Sequence, residues 1–284
     1  MRTQPPLHQR PVLRFRPVDL KMVVSDLDGT LLNENSVISD ETTDVLRDAH
    51  RSGIHVVAAT GRSIHSALDL LRPVGVITWV LCSNGATLYN LSEERLIHNK
   101  LIPAAEVAAF VQDTRDRFGP VGLAWETETA LQWDEDYQTH RDNLVPRPER
   151  QEGRIAPFPD GADLVKLLVT HPERTHDQWL QDLQPVIPAS MVASTSGTDF
   201  VEITHASATK GQAIAELCAE LGIPASQVAA FGDQVNDLDM LTWAGRGYAM
   251  ANAAEAVKAV ATHTAPHHAE HGVAQVITSI LQER

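Results

Sequence analysis

The sequence predicts an α/β fold of the doubly wound type, a parallel sheet with helices on both faces, into which a smaller α+β domain is inserted. Short apolar strands alternate with amphipathic helices over residues 21–86, hairpins replace this rhythm over 87–204, and the alternation returns over 205–284. Near-continuous apolar strands between helices are typical of parallel strands buried on both faces. We therefore expect a core domain built from 21–86 and 205–284, with an inserted domain at 87–204.

The first part of the core is predicted to be a βαβαβ unit. Its elements are strand 21–25, a helix that follows Ser39, strand 54–59, helix 63–71 and strand 79–82. Ser39 is a good helix N-cap, Asp40 and Glu41 suit a first helical turn, and Gly53 suits a helix C-terminus. Pro73 stops the second helix.

The predicted insertion is richer in hairpins, and the core pattern resumes after it. The insertion is expected to hold hairpins at 87–98 and 121–133, a helix at 103–118, strands near 164–170, 191 and 200, and a helix near 172–183. The Pro-rich tract 145–159 is expected to be a surface loop. The resumed core is predicted as helix 209–221, strand 228–231, helix 238–243, strand 247–250 and a final helix from Gly272.

Charge and hydropathy narrow the class of function. The 284 residues carry 23 basic and 37 acidic side chains, a formal net charge of -14, and no long basic run follows the N-terminus. This excess of acid argues against a nucleic-acid-binding surface. No segment approaches the roughly 18 to 20 apolar residues of a membrane span. We therefore expect a cytoplasmic protein with neither nucleic acid nor membrane as a partner, and an anion would need a local cation to bind.

The segment 1–20 is expected to lie outside the packed core. It contains Arg2, Arg10, Arg14 and Arg16 among four prolines and lacks the apolar stretch of a secretory signal. An Arg-rich, acid-poor leader is also compatible with a targeting peptide, but the prolines disfavour an amphipathic helix. We favour a disordered extension over a targeting signal.

Chemically active side chains follow the predicted core strands at their carboxyl ends, where ligands bind in open parallel sheets. Asp26 stands at the end of the first strand, and Asp28 lies two residues later in a glycine-containing turn. The second strand ends in Thr60 and Gly61, which offer a hydroxyl and a backbone N–H at a helix N-terminus. Such an arrangement commonly holds a phosphate oxygen.

A second acidic loop is predicted at the same edge of the sheet. Asp233, Asn236 and Asp237 follow strand 228–231, and Lys210 opens the preceding helix. Asp-Leu-Asp-Gly at 26–29 taken alone is equally typical of an Asx turn or a helix-capping loop. Together, however, four carboxylates in one crevice repel one another unless a proton or a metal intervenes. An all-oxygen site with room for a phosphate favours Mg²⁺.

This constellation closely resembles the haloacid dehalogenase superfamily of phosphotransferases. Four ordered motifs carry the resemblance: DxDGT at 26–30, TGR at 60–62, the lysine at 210 and GDxxND at 232–237. The pattern spans residues 22 to about 276. The insertion before the lysine is similar to the C2 type of cap, and the segments 83–86 and 245–253 resemble the Cof-type, sugar-phosphatase-like branch. The resemblance implies a Rossmann-like core with an α+β C2 cap.

The resemblance also implies roles for the two aspartates of the first motif. Asp26 would be the nucleophile that forms an aspartyl-phosphate. Asp28 would protonate the leaving oxygen and later take a proton from the attacking water. Mg²⁺ would be held by Asp26, the Asp28 backbone carbonyl and Asp233, with Asp237 supporting the site.

The phosphoryl oxygens would be held by the remaining motif residues. The resemblance assigns this role to Thr60, the N–H of Gly61, Lys210 and Asn236. These assignments imply a Mg²⁺-dependent phosphatase that hydrolyses small phosphorylated metabolites, such as a phosphosugar or a related ester. Two alternatives stay open: a phosphosugar mutase of the same superfamily, and a non-catalytic ligand-sensing protein on the same fold. Both carboxylates of the first motif argue against the sensing protein, because binding alone does not need them.

Other polar and aromatic residues are given structural interpretations. Arg62 is expected to cap its helix or to pair with an acid rather than to contact substrate. The spacing of the histidines in 263–271 fits no helical face and they lack cysteine partners, so we expect a solvated loop rather than a zinc site. Trp125, Trp133 and Tyr137 could stack on a sugar, but packing against the cap sheet is the favoured interpretation.

Overall fold

A computed structural model describes residues 19–142, 153–159, 161–196 and 199–283 of the chain. The strands within these ranges are β1 (Met22–Ser25), β2 (His55–Ala59), β3 (Trp79–Cys82), β4 (Thr87–Asn90), β5 (Arg95–Asn99), β6 (Gly122–Glu126), β7 (Leu131–Trp133), β8 (Arg154–Ile155), β9 (Lys166–Thr170), β10 (Met191–Ser194), β11 (Val201–His205), β12 (Val228–Gly232), β13 (Arg246–Met250) and β14 (His263–Ala265).

The α-helices in the same ranges are α1 (Asp40–Arg51), α2 (Ile64–Leu71), α3 (Ala104–Phe118), α4 (Glu135–Asp142), α5 (His176–Leu183), α6 (Lys210–Leu221), α7 (Leu238–Trp243), α8 (Glu255–Val260) and α9 (Gly272–Gln282). Ser39 caps α1 by accepting from the Thr42 backbone N–H, as its side chain predicts. No helix in the described ranges is long and apolar enough to cross a membrane.

The larger sheet, called here the core sheet, has eight strands in the order β14-β13-β12-β1-β2-β3-β4-β5. The strands from β14 to β3 are parallel, and β1 lies at the centre with Val24 opposite Ala230 of β12 and Val57 of β2. Buried apolar side chains from these strands and from the helices on both sides form one continuous core. The predicted doubly wound α/β fold is confirmed.

The hairpin β4–β5 belongs to the core sheet, although the sequence analysis assigned residues 87–98 to the insertion. The residues 83–85 form a tight turn after β3, so the chain reverses and β4 pairs with β3 in antiparallel fashion. The edge of a parallel sheet accepts such a hairpin without a crossover helix. The described strands of the second sheet begin at Gly122, and the exact division of the chain into core and insertion stays a prediction.

The second sheet, called here the cap sheet, has six strands in the order β10-β11-β9-β6-β7-β8. Its pairs are antiparallel except for β7 and β8, which are parallel. One face carries an apolar core shared with α3 and α5, to which Trp125, Leu167 and Val201 contribute. Because side chains alternate along a strand, Glu126, Lys166 and Glu202 lie on the opposite face.

Several elements differ from the sequence-based expectations. Helix α4 and strand β14 were not predicted, because α4 is polar and short and β14 lies in a histidine-rich segment read as a loop. Most of the tract 145–159 and residues 1–18 of the predicted extension lie outside the described residues. Leu20 is fully buried and the Lys21 N–H donates to the Gln227 carbonyl, so the packed core reaches the end of the predicted extension.

Candidate active site

Three carboxylates meet at the carboxyl edge of the core sheet. Asp26 follows β1, Asp233 follows the neighbouring strand β12, and Asp237 lies in the short turn after it. One oxygen of each carboxylate lies within 4.8 Å of the other two, and all three residues are buried. Parallel neighbours end at the same edge, which is why residues 207 positions apart in sequence become close in space.

Lys210 supplies a buried positive charge to this cluster. Thr209 caps α6 and places Lys210 in its first turn. The Nζ atom of Lys210 lies 2.6 Å from Oδ1 of Asp26 and 2.6 Å from Oδ1 of Asp237, and the side chain is fully buried. Burial lowers the pKa of Lys210, but the two carboxylates outweigh burial and the pKa is raised. The ammonium group therefore stays charged.

The three carboxylates exceed the single ammonium group in charge. Burial raises the pKa of Asp26 well above its ordinary value, and Lys210 opposes this rise only in part. Burial and the neighbouring Asp237 raise the pKa of Asp233 to about 6. A divalent cation would relieve this repulsion, and an all-oxygen donor set of this kind fits Mg²⁺. The residues present therefore suit the implied metal.

Backbone and hydroxyl donors fix the orientation of the acidic loop. Oδ2 of Asp237 accepts from the backbone N–H groups of Asp233 and Gln234 at 2.9 and 3.0 Å. Oδ1 of Asp233 accepts from the Thr30 hydroxyl at 2.9 Å. The two acidic segments are thus joined to each other without a ligand, so the cluster is preorganised by the fold.

A close approach explains the glycine in the first motif. Gly29 has φ of 77°, in the left-handed region, and a Cβ atom at this position would lie 2.4 Å from Oδ2 of Asp233. The Gly29 carbonyl also accepts from Nδ2 of Asn252 at 2.8 Å. Only glycine allows this conformation and this approach together. The turn after β1 is therefore shaped to receive the acidic loop.

Asp28 is held apart from the three buried carboxylates. Its oxygens accept from Nε and Nη2 of Arg62 at 2.8 and 2.6 Å, a two-point ion pair. The Asp28 side chain is 52% exposed, whereas the Arg62 side chain is 21% exposed. The pairing of Arg62 with an acid was one of the two structural expectations for this residue. The partner is the predicted proton donor, which the sequence did not indicate.

The segment Thr60 to Arg62 is pinned from two sides. The Thr60 hydroxyl oxygen accepts from the Arg62 backbone N–H at 3.1 Å. The loop after β3 donates through the N–H of Asn84 to the Thr60 carbonyl and through the N–H of Ser83 to the Arg62 carbonyl. This segment, called here the phosphate loop, lies at the end of β2, where a phosphate-binding turn was predicted.

Asn236 and Asn84 face each other across the two loops. Nδ2 of Asn236 donates to Oδ1 of Asn84 at 3.0 Å. Nδ2 of Asn84 and Oδ1 of Asn236 are buried and have no hydrogen-bond partner among the described residues. Leaving buried amide atoms without a hydrogen bond costs free energy. They therefore mark a place where a ligand or a water molecule would supply the missing hydrogen bonds. The sequence analysis identified Asn236 but gave Asn84 no role.

Three charged residues of the cap sheet were missed. Lys166 is buried, and its Nζ atom donates to the backbone carbonyl of Gly61 and to Oε1 of Glu202. Glu126 accepts from the Ser83 hydroxyl at 2.6 Å. The available signal was a charged residue at the end of a strand or next to it in each of three apolar strands, but such positions are usually exposed, so the pattern carried little weight.

A cavity of about 580 Å³ opens beside the phosphate loop, between α2 and the cap sheet. Its walls include Ser63 and His65 from the core and Glu126, Thr129 and Leu131 from the cap. The three buried aspartates do not line it. The cavity therefore lies next to the carboxylate cluster rather than over it.

The histidine-rich segment has a structural position in the core. His263 begins strand β14, and His268 interacts through Nδ1 with the Leu32 carbonyl at 2.8 Å. The His268 N–H donates to Oδ1 of Asn252, the residue that also binds the Gly29 carbonyl. The expectation of a loop is wrong for residues 263–265, which form β14, whereas the histidines themselves are exposed or partly exposed, as expected. The segment also braces the turn that carries Asp28.

The cap aromatics pack inside the cap, as expected. Trp125 is fully buried in the apolar core that the cap sheet shares with its helices. Trp133 and Tyr137 form a smaller buried cluster with Leu168 on the other face. The packing interpretation of these three aromatic residues is confirmed.

Comparison with known proteins agrees with this geometry. The family described as haloacid dehalogenase-like hydrolase matches residues 23–277. The phosphatase YwpJ of Bacillus subtilis is 29% identical over 92% of this chain and 100% of its own length. The 5-amino-6-(5-phospho-D-ribitylamino)uracil phosphatase YcsE of the same organism is 27% identical over 92% of this chain and 95% of its own length.

The solved structures give the same result. A haloacid dehalogenase-like hydrolase from B. subtilis superposes with a TM-score of 0.77 at 26% identity, covering 91% of this chain and 99% of that one. The Cof-type resemblance and the identification as a phosphatase, both predicted from the motifs, are confirmed. The chain therefore belongs to the haloacid dehalogenase-like hydrolases.

Proposed function

We propose that this phosphatase hydrolyses small phosphorylated metabolites, such as phosphosugars, through an aspartyl-phosphate and with Mg²⁺ as cofactor. The observation that carries the proposal is the cluster of Asp26, Asp233 and Asp237 around the Lys210 ammonium group. The substrate class is supported by YcsE, whose name gives a phosphorylated ribityl compound as substrate.

In the first half-reaction, an oxygen of Asp26 attacks phosphorus and the bond from phosphorus to the leaving oxygen breaks. Asp28 donates a proton to that oxygen, which leaves as an alcohol. In the second half-reaction, water attacks phosphorus and gives a proton to Asp28, and the bond between phosphorus and Asp26 breaks. The enzyme returns to its starting protonation state.

The metal site would consist of Asp26, the Asp28 backbone carbonyl and Asp233, with Asp237 beside them. Bound Mg²⁺ supplies positive charge that lets a phosphate dianion approach the acidic cluster. Asp237 orients Lys210 and the acidic loop through three hydrogen bonds to its carboxylate, from the Lys210 ammonium group and from the N–H groups of residues 233 and 234.

The chain itself would hold the phosphoryl oxygens. Thr60, the Gly61 N–H, Lys210 and Asn236 offer four donors near the acidic cluster, and charge that develops in the transition state strengthens such hydrogen bonds. Both oxygens of Asp28 accept from Arg62, so a leaving group that approaches Asp28 would share these oxygens with the guanidinium group. Substrate binding would thus compete with this ion pair.

The test is hydrolysis of p-nitrophenyl phosphate with Mg²⁺, with a chelator, and with Mg²⁺ restored. We expect activity that disappears in chelator and returns with the metal. A panel of phosphometabolites, scored by release of inorganic phosphate, then separates the alternatives. A mutase would convert a phosphosugar without releasing phosphate, and a sensing protein would bind without turnover. Full activity in chelator would refute the metal requirement.

A further inference from the structure

A buried lysine connects the cap sheet to the phosphate loop. Lys166 begins β9 and is 5% exposed, yet its ammonium group makes only two polar contacts in the described structure. One is to Oε1 of Glu202 at 3.2 Å, and the other is to the backbone carbonyl of Gly61. The first partner lies in the cap, and the second lies in the core.

The cap residues around this lysine form an ordered row. Glu126 stands opposite Lys166 in the pairing of β6 with β9, and Glu202 stands opposite Leu168 in the pairing of β9 with β11. Side chains two residues apart share a face, so the ammonium group is flanked by a carboxylate on each neighbouring strand. Glu202 contacts the ammonium group directly, and Glu126 adds negative charge on the other side while the lysine reaches toward the core.

The carbonyl that Lys166 contacts belongs to a functional peptide group. The C=O of Gly61 and the N–H of Arg62 are the two ends of one peptide unit, and that N–H donates to the Thr60 hydroxyl oxygen. A cation on the carbonyl polarises the unit and strengthens its N–H as a donor. Because the hydroxyl oxygen then accepts from the backbone, its own hydrogen is directed elsewhere.

We propose that Lys166 is a positioning residue that orients the phosphate loop when the cap is seated on the core. Its ammonium group fixes the peptide of Gly61 and Arg62, and through it the Thr60 hydroxyl. The inference rests on the proposed function, since it assigns the loop to phosphate binding. Lys166 acts through the loop and does not touch the reacting atoms.

A second contact from the same row reaches the loop indirectly. Glu126 accepts from the Ser83 hydroxyl, and the Ser83 N–H donates to the Arg62 carbonyl. Both ends of the segment Gly61 to Arg62 are thus tied to the cap, one directly through Lys166 and the other through Ser83. Removal of the cap contacts would leave the loop held by the core alone.

The experiment measures the inhibition constant of inorganic phosphate against p-nitrophenyl phosphate, with Mg²⁺ present. Inorganic phosphate has no leaving group, so a lysine that only contacts the leaving group would not affect its binding. Lys166→Met should raise this constant about 10- to 100-fold, the range expected for one lost charge-assisted hydrogen bond. An unchanged constant would overturn the proposal.

Two further variants remove the obvious ambiguities. Lys166→Met leaves Glu202 buried without its cation, so the double variant Lys166→Met/Glu202→Gln is needed to remove that charge. The double variant should keep the loss of phosphate affinity, and recovery to the wild-type constant would overturn the proposal. Lys100→Met is the matched control, because Lys100 contacts one carbonyl, of Ser207, and one carboxylate, of Glu216. It should bind phosphate like wild type.

Hydrogen exchange separates this inference from the proposed function. In the protein without substrate, Lys166→Met should raise the exchange rate of amides in the peptide that covers residues 60–64, and Lys100→Met should not. This readout does not depend on turnover. If wild type hydrolyses no phosphate ester, the proposed function fails while exchange still tests the contact. Unchanged exchange in Lys166→Met would overturn the positioning role.

Discussion

The core and the cap both bury charged side chains, but they neutralise the charges in different ways. In the core, Lys210 faces Asp26 and Asp237, and Asp233 adds a third buried carboxylate. In the cap, Lys166 lies between two glutamates and also uses a peptide carbonyl of the core. The core cluster therefore has fewer positive than negative groups, whereas the cap row of Glu126, Lys166 and Glu202 finds its last hydrogen-bond partner in the core.

This difference indicates a division of labour. A site that is short of positive charge is suited to bind a metal and then an anion, so we expect the chemistry to take place in the core. In the cap row, the ammonium group of Lys166 completes its hydrogen bonds only through the phosphate loop of the core. This contact therefore depends on the cap being seated on the core. Changes in the core should therefore affect every substrate, and changes in the cap row should act through the loop.

The largest effect is expected at the core nucleophile. Asp26→Asn removes the attacking oxygen, so turnover should fall to background for activated and unactivated esters alike. The measurement is hydrolysis of p-nitrophenyl phosphate and of a phosphosugar. Asp44→Asn, which alters an exposed carboxylate of α1 paired with Arg47, should leave turnover near wild type. Labelling of the Asp26→Asn protein at this site by a phosphate donor would contradict the assignment.

The next effect concerns proton transfer by Asp28. Asp28→Asn keeps the nucleophile and the backbone carbonyl but loses proton transfer, which should reduce turnover roughly 10²- to 10⁴-fold. An activated leaving group needs little protonation, so the second half-reaction should be slowed more than the first. The variant should therefore accumulate a hydroxylamine-sensitive phosphoryl label. Wild-type turnover of aliphatic phosphates would rule out this role.

A smaller effect tests how tightly the core turn is packed. Gly29→Ala and Gly53→Ala both place an L-residue at φ of 77°, but only the Cβ atom at residue 29 meets a neighbour within 4 Å. Each substitution should cost about 1–2 kcal/mol of unfolding free energy from backbone conformation. The clash with Asp233 should cost Gly29→Ala roughly 1–3 kcal/mol more. Urea unfolding measures both, and equal losses would argue against the close approach.

The smallest effect belongs to the cap row and depends on pH. Burial raises the pKa of Glu126 above the usual glutamate range, with Lys166 and the Ser83 hydroxyl opposing the rise. The folded state thus binds this proton more tightly than the unfolded state does. The stability that Glu126 contributes is fully present below the unfolded pKa and is lost as pH rises through the folded pKa.

In Glu126→Gln this position no longer titrates. The unfolding free energy of the variant should therefore increase relative to that of wild type as pH rises from 4 to 8. Urea unfolding across this range provides the measurement. The exposed Glu93→Gln serves as the control for replacing a glutamate by glutamine outside the cap row. A difference for Glu126→Gln that shrinks with rising pH would contradict the effect of burial on this carboxyl group.

Much of the core could be predicted because its signals are local. Strands are located by apolar runs of four or five residues, and α1 by the Ser N-cap before it and the glycine after it. These signals place the elements within a few residues of their bounds in the structure. The rule that ligands bind at the carboxyl edge of a parallel sheet then brings Asp26, Asp233 and Lys210 together. These three side chains do meet in the structure, while their catalytic roles remain predictions.

The sequence by itself determined the class of fold and which residues face the shared edge of the core sheet. Hydrophobic periodicity identifies each strand and helix from neighbouring residues, and general rules for parallel sheets then place the strand ends at one edge. Only the tertiary structure decided that Arg62 holds Asp28, that β4 and β5 extend the core sheet, and that Lys166 reaches Gly61. Those contacts join segments as far apart as 105 positions. They depend on strand register and on how the cap is seated, and no local pattern of residues encodes either one.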